Sequence, residues 1–193
     1  MPLILTSGPT SEPVTLDEAK AHLRVDNPFE DTLIASLILA ARLHVERSLD
    51  TVLISQNWSL YLDGWPQAET VTLPLSPVQV VTAVRLYDAN DGSQLLSPDL
   101  YTVDTLSKPA RLRRKGGGGW PMPGRALNGI EIAMTLGYGD DPASVPAALR
   151  HAILLLVAHW YEVREPVAMD SSAVEAPLTV AALLQPYRRA GLR

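Results

Sequence analysis

The chain has 193 residues, of which 47% are apolar and 19% charged, and its net charge is −5. This is the composition of an ordinary soluble globular protein large enough to bury a sizeable core, and its acidity argues against non-specific nucleic-acid binding. The absence of cysteine excludes disulfides, thiolate metal sites and cysteine nucleophiles.

The opening MPLILTSGPTSEP has no basic n-region and too short an apolar run for a secretory signal, so synthesis in the cytoplasm is expected. Residues 1–14 read as an extended lead-in, because Pro2, Pro9 and Pro13 discourage a helix. Thr15 and Glu18 have the spacing of a capping box, and Asp17 and Glu18 suit the positive end of a helix dipole. They predict a short helix to about Leu23, with Leu16, Ala19 and Leu23 as its apolar face, broken by Asp26-Asn27-Pro28. A second helix is expected from Phe29 or Glu30 to Leu49. Its apolar stripe is Leu33, Ile34, Leu37, Ile38, Ala41, Val45 and Leu49, and its charges follow dipole order, with Glu30 and Asp31 first and Arg42 and Arg47 last.

From Thr51 to Tyr138 the apolar period falls towards two. Short runs around Trp58–Leu62, Val71–Leu75, Val80–Tyr87, Leu100–Val103, Ala110–Arg113 and Ile130–Leu136 are separated by turn residues. Asp91-Gly92 is a hairpin signal. These runs predict an antiparallel sheet of about five or six strands, with residues 111–125 (RLRRKGGGGWPMPGR) as a mobile loop or hairpin tip carrying Trp120. Residues 145–165 then predict a helix of about five turns, with Leu149, Ile153, Leu156, Val157, Trp160 and Val163 on one face. The run from Ile153 to Ala158 is apolar all round, which places its middle deep in the core. Arg150, His151 and His159 bound this run well short of the roughly 20 residues a bilayer needs. Residues 166–177 lack periodicity and read as a linker. A last short helix begins at Leu178, with Val180, Leu183 and Leu184 as its apolar positions, and the chain closes on a cluster of Arg188, Arg189 and Arg193.

The elements together predict an α+β fold in a single domain, 1–193. A small helical bundle is formed by two N-terminal helices (15–50) and one long buried helix (145–165). An antiparallel β-sheet region (51–140) is inserted between them, and a linker (166–177) leads to a C-terminal arm (178–193).

No catalytic constellation emerges. His151 and His159 are eight apart on one helix, whereas helical zinc ligands stand three or four apart. His159 and Glu162 would make half of a di-metal carboxylate site, but no second such motif exists. Gly116 to Gly119 run into Trp120-Pro121, which cannot open the helix a phosphate loop needs. No G-x-S-x-G elbow is present. Catalytic, cofactor and metal residues are therefore all expected to be none. Arg111, Arg113, Arg114 and Lys115 could touch a phosphate backbone or an acidic protein surface, or simply form a solvated strand end.

Four segments carry a family resemblance: TLDEAKAHLRVD, EDTLIASLILAARLHVERSLD, VPAALRHAILLLVAHWYEVRE and LLQPYRRAGLR. Together they resemble the head–tail connector (adaptor) proteins of long-tailed bacteriophages and gene transfer agents, within the subfamily that carries a β-rich insertion. The helix ending HWYE-x-R and the closing PYRR are the specific parts. The resemblance implies a non-enzymatic virion protein, made in the bacterial host cytoplasm and resident at the head–tail interface. Its partners would be the portal protein, neighbouring adaptor subunits in a dodecameric homo-oligomeric ring, and a stopper or tail-completion protein. DNA would pass through the channel without sequence-specific binding, and no membrane would be involved. The family's portal-binding role would fall on Leu183, Leu184, Pro186, Tyr187, Arg188, Arg189, Leu192 and Arg193. Arg111, Arg113, Arg114, Lys115 and Trp120 would be a possible DNA-channel or interface loop. Two other readings compete: a ligand- or peptide-binding module with a pocket lined by Trp58, Trp65 or Trp120, and a metal-dependent hydrolase or nuclease using His159 and Glu162.

Overall fold

A computed structural model describes residues 1–163 and 178–188. The chain forms two compact units, Met1–Thr10 with Ser55–Tyr138, and Ser11–Ile54 with Gly139–Arg193. The first is all β among its regular elements and the second is helical, so the α+β expectation holds.

The helical unit contains α1 (Leu16–Leu23), α2 (Asp31–Leu49), α3 (Ala147–Glu162) and α4 (Leu178–Leu184). The predicted capping box opens α1: the Glu18 amide donates to Thr15 Oγ1 at 3.1 Å, and the Thr15 amide donates to Glu18 Oε2 at 2.9 Å. These bonds, the Thr15 backbone donor foremost and the Arg150 guanidinium beside it, hold the Glu18 carboxyl below its usual range. Thr15→Ala is expected to cost about 1 kcal/mol in urea unfolding, the usual worth of an N-cap. α1 ends at Arg24, which takes a left-handed conformation with φ of 59°.

α2 packs on α3, α1 touches both, and α4 packs on α3. The common core holds Ile34, Ile38, Ala41, Val45 and Leu49 from α2, Leu149, Ile153, Leu156 and Val157 from α3, and Val180 and Leu184 from α4. Burying such side chains contributes about 1.5–3 kcal/mol each before entropy is charged. Two expectations need correcting. Leu33 lies on the solvent side of α2 at 39% exposure, because the core takes only the Ile34–Ile38–Ala41–Val45 edge of the stripe. Arg42 is not a solvated dipole partner but a buried cation, donating to Glu12 at 2.7 Å and to Glu46 at 2.8 Å. Glu46 also accepts from the Leu53 amide at 3.0 Å, so one ion pair ties the lead-in and the residues after α2 to that helix.

The β unit has eight strands in two antiparallel sheets, where a single sheet of five or six was expected. The first sheet contains β1 (Leu3–Ser7), β2 (Gln56–Leu62), β4 (Val78–Tyr87), β5 (Ser93–Leu95) and β8 (Ile130–Leu136), in the order β1-β2-β8-β4-β5. The second contains β3 (Thr70–Thr72), β6 (Tyr101–Asp104) and β7 (Arg111–Arg114), in the order β3-β7-β6. All six predicted runs are strands. The extended lead-in supplies β1, which pairs Leu3 with Leu60 and Leu5 with Trp58, so the sheet is not wholly an insertion. The Asp91-Gly92 hairpin joins β4 to β5. Asp88 Oδ1 accepts from the amides of Asn90 and Gly92, both at 2.8 Å, and Asp91 takes a φ of 64°.

Alternation sorts the faces of the larger sheet. Leu60, Leu62, Ile130, Ile132, Met134, Leu136, Val84 and Leu86 form the buried stripe. The opposite face carries a polar network around Glu131, which lies across from Tyr61 in β2 and Arg85 in β4. Its carboxylate accepts from Ser59 Oγ at 2.7 Å and Tyr87 Oη at 2.8 Å, with Arg85 Nη1 at 3.4 Å. Burial alone would push Glu131 up, but the two hydroxyls and the guanidinium outweigh it and hold the carboxyl below its ordinary range.

Candidate assembly surfaces

The predicted basic loop is mostly a strand. Arg111, Arg113 and Arg114 belong to β7, and Lys115 follows it, exposed. Alternation turns Leu112 into the core and leaves Arg111 and Arg113 on the outer face of the three-stranded sheet. Register places Arg113 between Thr70 on β3 and Thr102 on β6, and Arg111 between Thr72 and Asp104. Four of these residues, with Thr70, line a recess of about 210 Å³: Thr102, Asp104, Arg111 and Arg113.

The two outward arginines differ in their freedom. Arg111 donates to Asp104 Oδ2 at 2.6 Å, and Asp104 also accepts from the Ser107 hydroxyl at 2.6 Å and the Ser107 amide at 3.0 Å. Ser107 first, then Arg111, hold the Asp104 carboxyl far below its usual range. Arg113 has no such acidic neighbour in its row. It is the more available cation for an anionic partner. Arg114 points to the other side and donates to the Gly118 carbonyl at 2.6 Å, bracing the glycine run.

Trp120 departs from expectation. It is not a bare loop side chain but 8% exposed, stacked on Trp65 with ring centroids 4.0 Å apart. Each indole N–H donates to a carbonyl: Trp65 to Pro121 at 2.8 Å and Trp120 to Glu69 at 3.2 Å. A stacked pair with both polar ends satisfied is a packing unit. Further along, Gly124 donates to the Tyr87 carbonyl at 2.9 Å, and a Cβ there would stand 2.8 Å from the Ala89 nitrogen, so only glycine fits that approach.

In the C-terminal arm, Leu184 is 2% exposed and belongs to the core of its own unit. There it fastens the arm to the bundle. Leu183 is half-buried, Pro186 and Arg188 are exposed, and Tyr187 is half-buried in a 3-10 turn, Gln185–Tyr187. The Arg188 amide closes that turn on the Gln185 carbonyl at 3.2 Å. Arg189, Leu192 and Arg193, and the predicted linker 166–177, lie outside the described residues. So do Arg164 and Glu165, the predicted end of the long helix.

Three of the four histidines stand against another ring. His44 meets Trp160 edge-on at 5.9 Å, and His22 meets His151 at 6.4 Å. Among the described residues no three metal-ligating side chains gather, and no helix is long and apolar enough to cross a membrane. Sequence reasoning missed Thr70 and Thr102 as neighbours of Arg113, because cross-strand register is not written locally. The Asp104–Ser107 turn that occupies Arg111 did leave a signal, the Asp-x-x-Ser spacing just before a proline.

Basic and apolar side chains set on the outer faces of two small cores are the layout of an assembly subunit. The comparisons place it more narrowly. A profile of the phage gp6-like head-tail connector proteins matches residues 13–94 and 124–188, and the chain belongs to that family. Three similar solved chains come from gene transfer agent particles. One, from the neck of an empty particle computed with C6 symmetry, has a TM-score of 0.84 at 27% identity. Another, from the virion of a native particle, has a TM-score of 0.82 at 28% identity. The third, from the neck of a native particle computed with C12 symmetry, has a TM-score of 0.80 at 27% identity. Each comparison covers 100% of this chain and 98% of the other. No curated protein sequence matches. The protein is a head–tail connector of the phage and gene transfer agent type, a structural component of the virion neck.

Proposed function

We propose that the chain is one subunit of a non-enzymatic adaptor ring that joins the portal to a stopper or tail-completion protein and continues the DNA channel. The observation that carries this reading is the full-length likeness to a chain from a neck computed with C12 symmetry, which supports a ring of twelve. A closed ring is built from heterologous contacts, so every copy must offer two unlike lateral faces, and a chain of two distinct units has unlike surfaces to offer. The C-terminal arm is the proposed portal contact. Pro186, Tyr187 and Arg188 stand beyond the buried Leu184, and Arg189, Leu192 and Arg193 continue the segment. The outer face of β7 is the proposed DNA-facing surface, with Arg113 as its free cation. A face whose other exposed arginine, Arg111, is already paired with Asp104 suits a channel that must let DNA pass, because tight phosphate binding would hinder ejection.

Cryo-electron microscopy of the protein mixed with its own portal tests this. The expected result is a closed ring on one end of the portal, held through residues 185–193. A well-behaved monomer that leaves the portal bare would overturn the reading.

A further inference from the structure

α2 carries two apolar seams. The inner one, Ile34–Ile38–Ala41–Val45–Leu49, is buried. The outer one runs Leu33, Ser36, Ala40 and Leu43, with Leu39 beside it and Phe29 in the turn just before the helix, and all six side chains face solvent. Its steps along the helix are three, four and three residues, the alternation by which one helix face keeps a continuous line against a partner. Phe29 is 90% exposed, Leu33 39%, Leu39 43% and Leu43 50%.

We propose that this outer seam is a lateral contact between neighbouring copies of the chain in the ring, an inference that rests on the adaptor-ring reading above. Charge is the first argument. Thr32 to Ala41 contains no charged residue, although half of that helix faces water. The charges at either end are already engaged. Asp31 is paired with Lys20 at 2.6 Å, and Arg42 is turned inward to Glu12 and Glu46. A DNA-facing surface would need cations here, and a transient docking face would carry a polar rim within the patch. Charge-depleted apolar area is the mark of lasting contacts between copies of one chain.

Shape is the second argument. Ser36 and Ala40, the smallest side chains of the seam, sit at its centre, so a neighbouring surface can approach the helix backbone closely between Leu33 and Leu43. The Ser36 hydroxyl donates to the Leu33 carbonyl at 2.7 Å, so burying it strands no donor. From Leu33 to Leu43 the seam is about 15 Å long at 1.5 Å per residue, and Phe29, exposed in the turn before α2, stands beyond its end. Each ring copy needs a face of this kind on one side.

The test uses the full chain with its portal, comparing wild type with the Leu39→Glu, Leu43→Glu double variant and with Ser36→Cys carrying a benzophenone label. The chain has no cysteine, so the label has one address. The double variant is expected to keep the wild-type circular dichroism and to give at least tenfold fewer complete rings on the portal. The labelled variant is expected to photo-crosslink into a ladder of multimers, because a head-to-tail contact repeats around the ring. Wild-type numbers of rings from a folded double variant would overturn the proposal while leaving the adaptor reading intact. So would crosslinks that run to the portal or stop at a dimer. If the double variant fails to fold, the crosslinking pattern alone decides. If wild type itself forms no ring on the portal, the adaptor reading fails and this inference falls with it.

Discussion

Reversing the arm's charge with Arg188→Glu and Arg189→Glu together is expected to abolish attachment to the portal, a loss of at least about a hundredfold in affinity. Removing a partner from a desolvated, bidentate arginine–carboxylate pair costs about 2–5 kcal/mol, and two reversals add repulsion to that loss. Deleting residues 185–193 is expected to have the same effect. Neither change reaches the fold, because Val180 and Leu184, the side chains of α4 that sit in the core, are retained. Co-sedimentation with the portal, alongside thermal melts, reads both quantities. Undiminished attachment of the truncated protein would remove the arm from the proposal. His159→Ala serves as a control expected to leave attachment unchanged, since no portal-binding role falls on it.

The second large effect is on stability. Glu131→Ala is expected to destabilise the protein by about 3 kcal/mol, because it strands the Ser59 and Tyr87 hydroxyls and the Arg85 guanidinium that converge on one carboxylate. Glu131→Gln keeps the shape and part of the hydrogen bonding, and about 1 kcal/mol is expected. The pH dependence has a definite sign. A carboxyl held below its ordinary value of 4.5 contributes stability that is fully present above that pH, and that stability is lost as pH falls through the folded-state value. Urea unfolding at neutral pH and again below 4.5 should therefore show wild type losing its advantage over Glu131→Gln in acid. Parallel losses in both proteins would mean that Glu131 is not the group responsible.

Most of the helical unit was legible because its signals are local. The Thr15–Glu18 box and the three-and-four spacing in α2 and α3 each act within one or two turns, and the structure begins all three helices, and ends α1 and α2, within about two residues of expectation. The strand positions were legible for the same reason, since alternation is local. What could not be read was which strand pairs with which. β8 lies between β2 and β4, strands far from it in sequence, and nothing in its own residues names those partners. The exposed pattern of Leu3–Ser7 gave no hint that it would edge a sheet.

The candidate residues divide along the same line. The arginines of β7 and of the arm were visible as residue types, and so was the family they belong to. Tertiary structure alone decided that Arg113 lies between Thr70 and Thr102 with no acidic neighbour in its row, and that Trp120 stacks on Trp65. It also decided that Leu184 is core and that Arg42 is a buried clamp between Glu12 and Glu46. By itself the sequence determined most of the elements and their order, because periodicity, caps and turn residues act over a few residues, and the resemblance of four segments pointed to a connector family. Burial and partnership are set by side chains arriving from 30 or more positions away, as with Glu12 and Arg42, and those distances exist only once the chain has closed on itself.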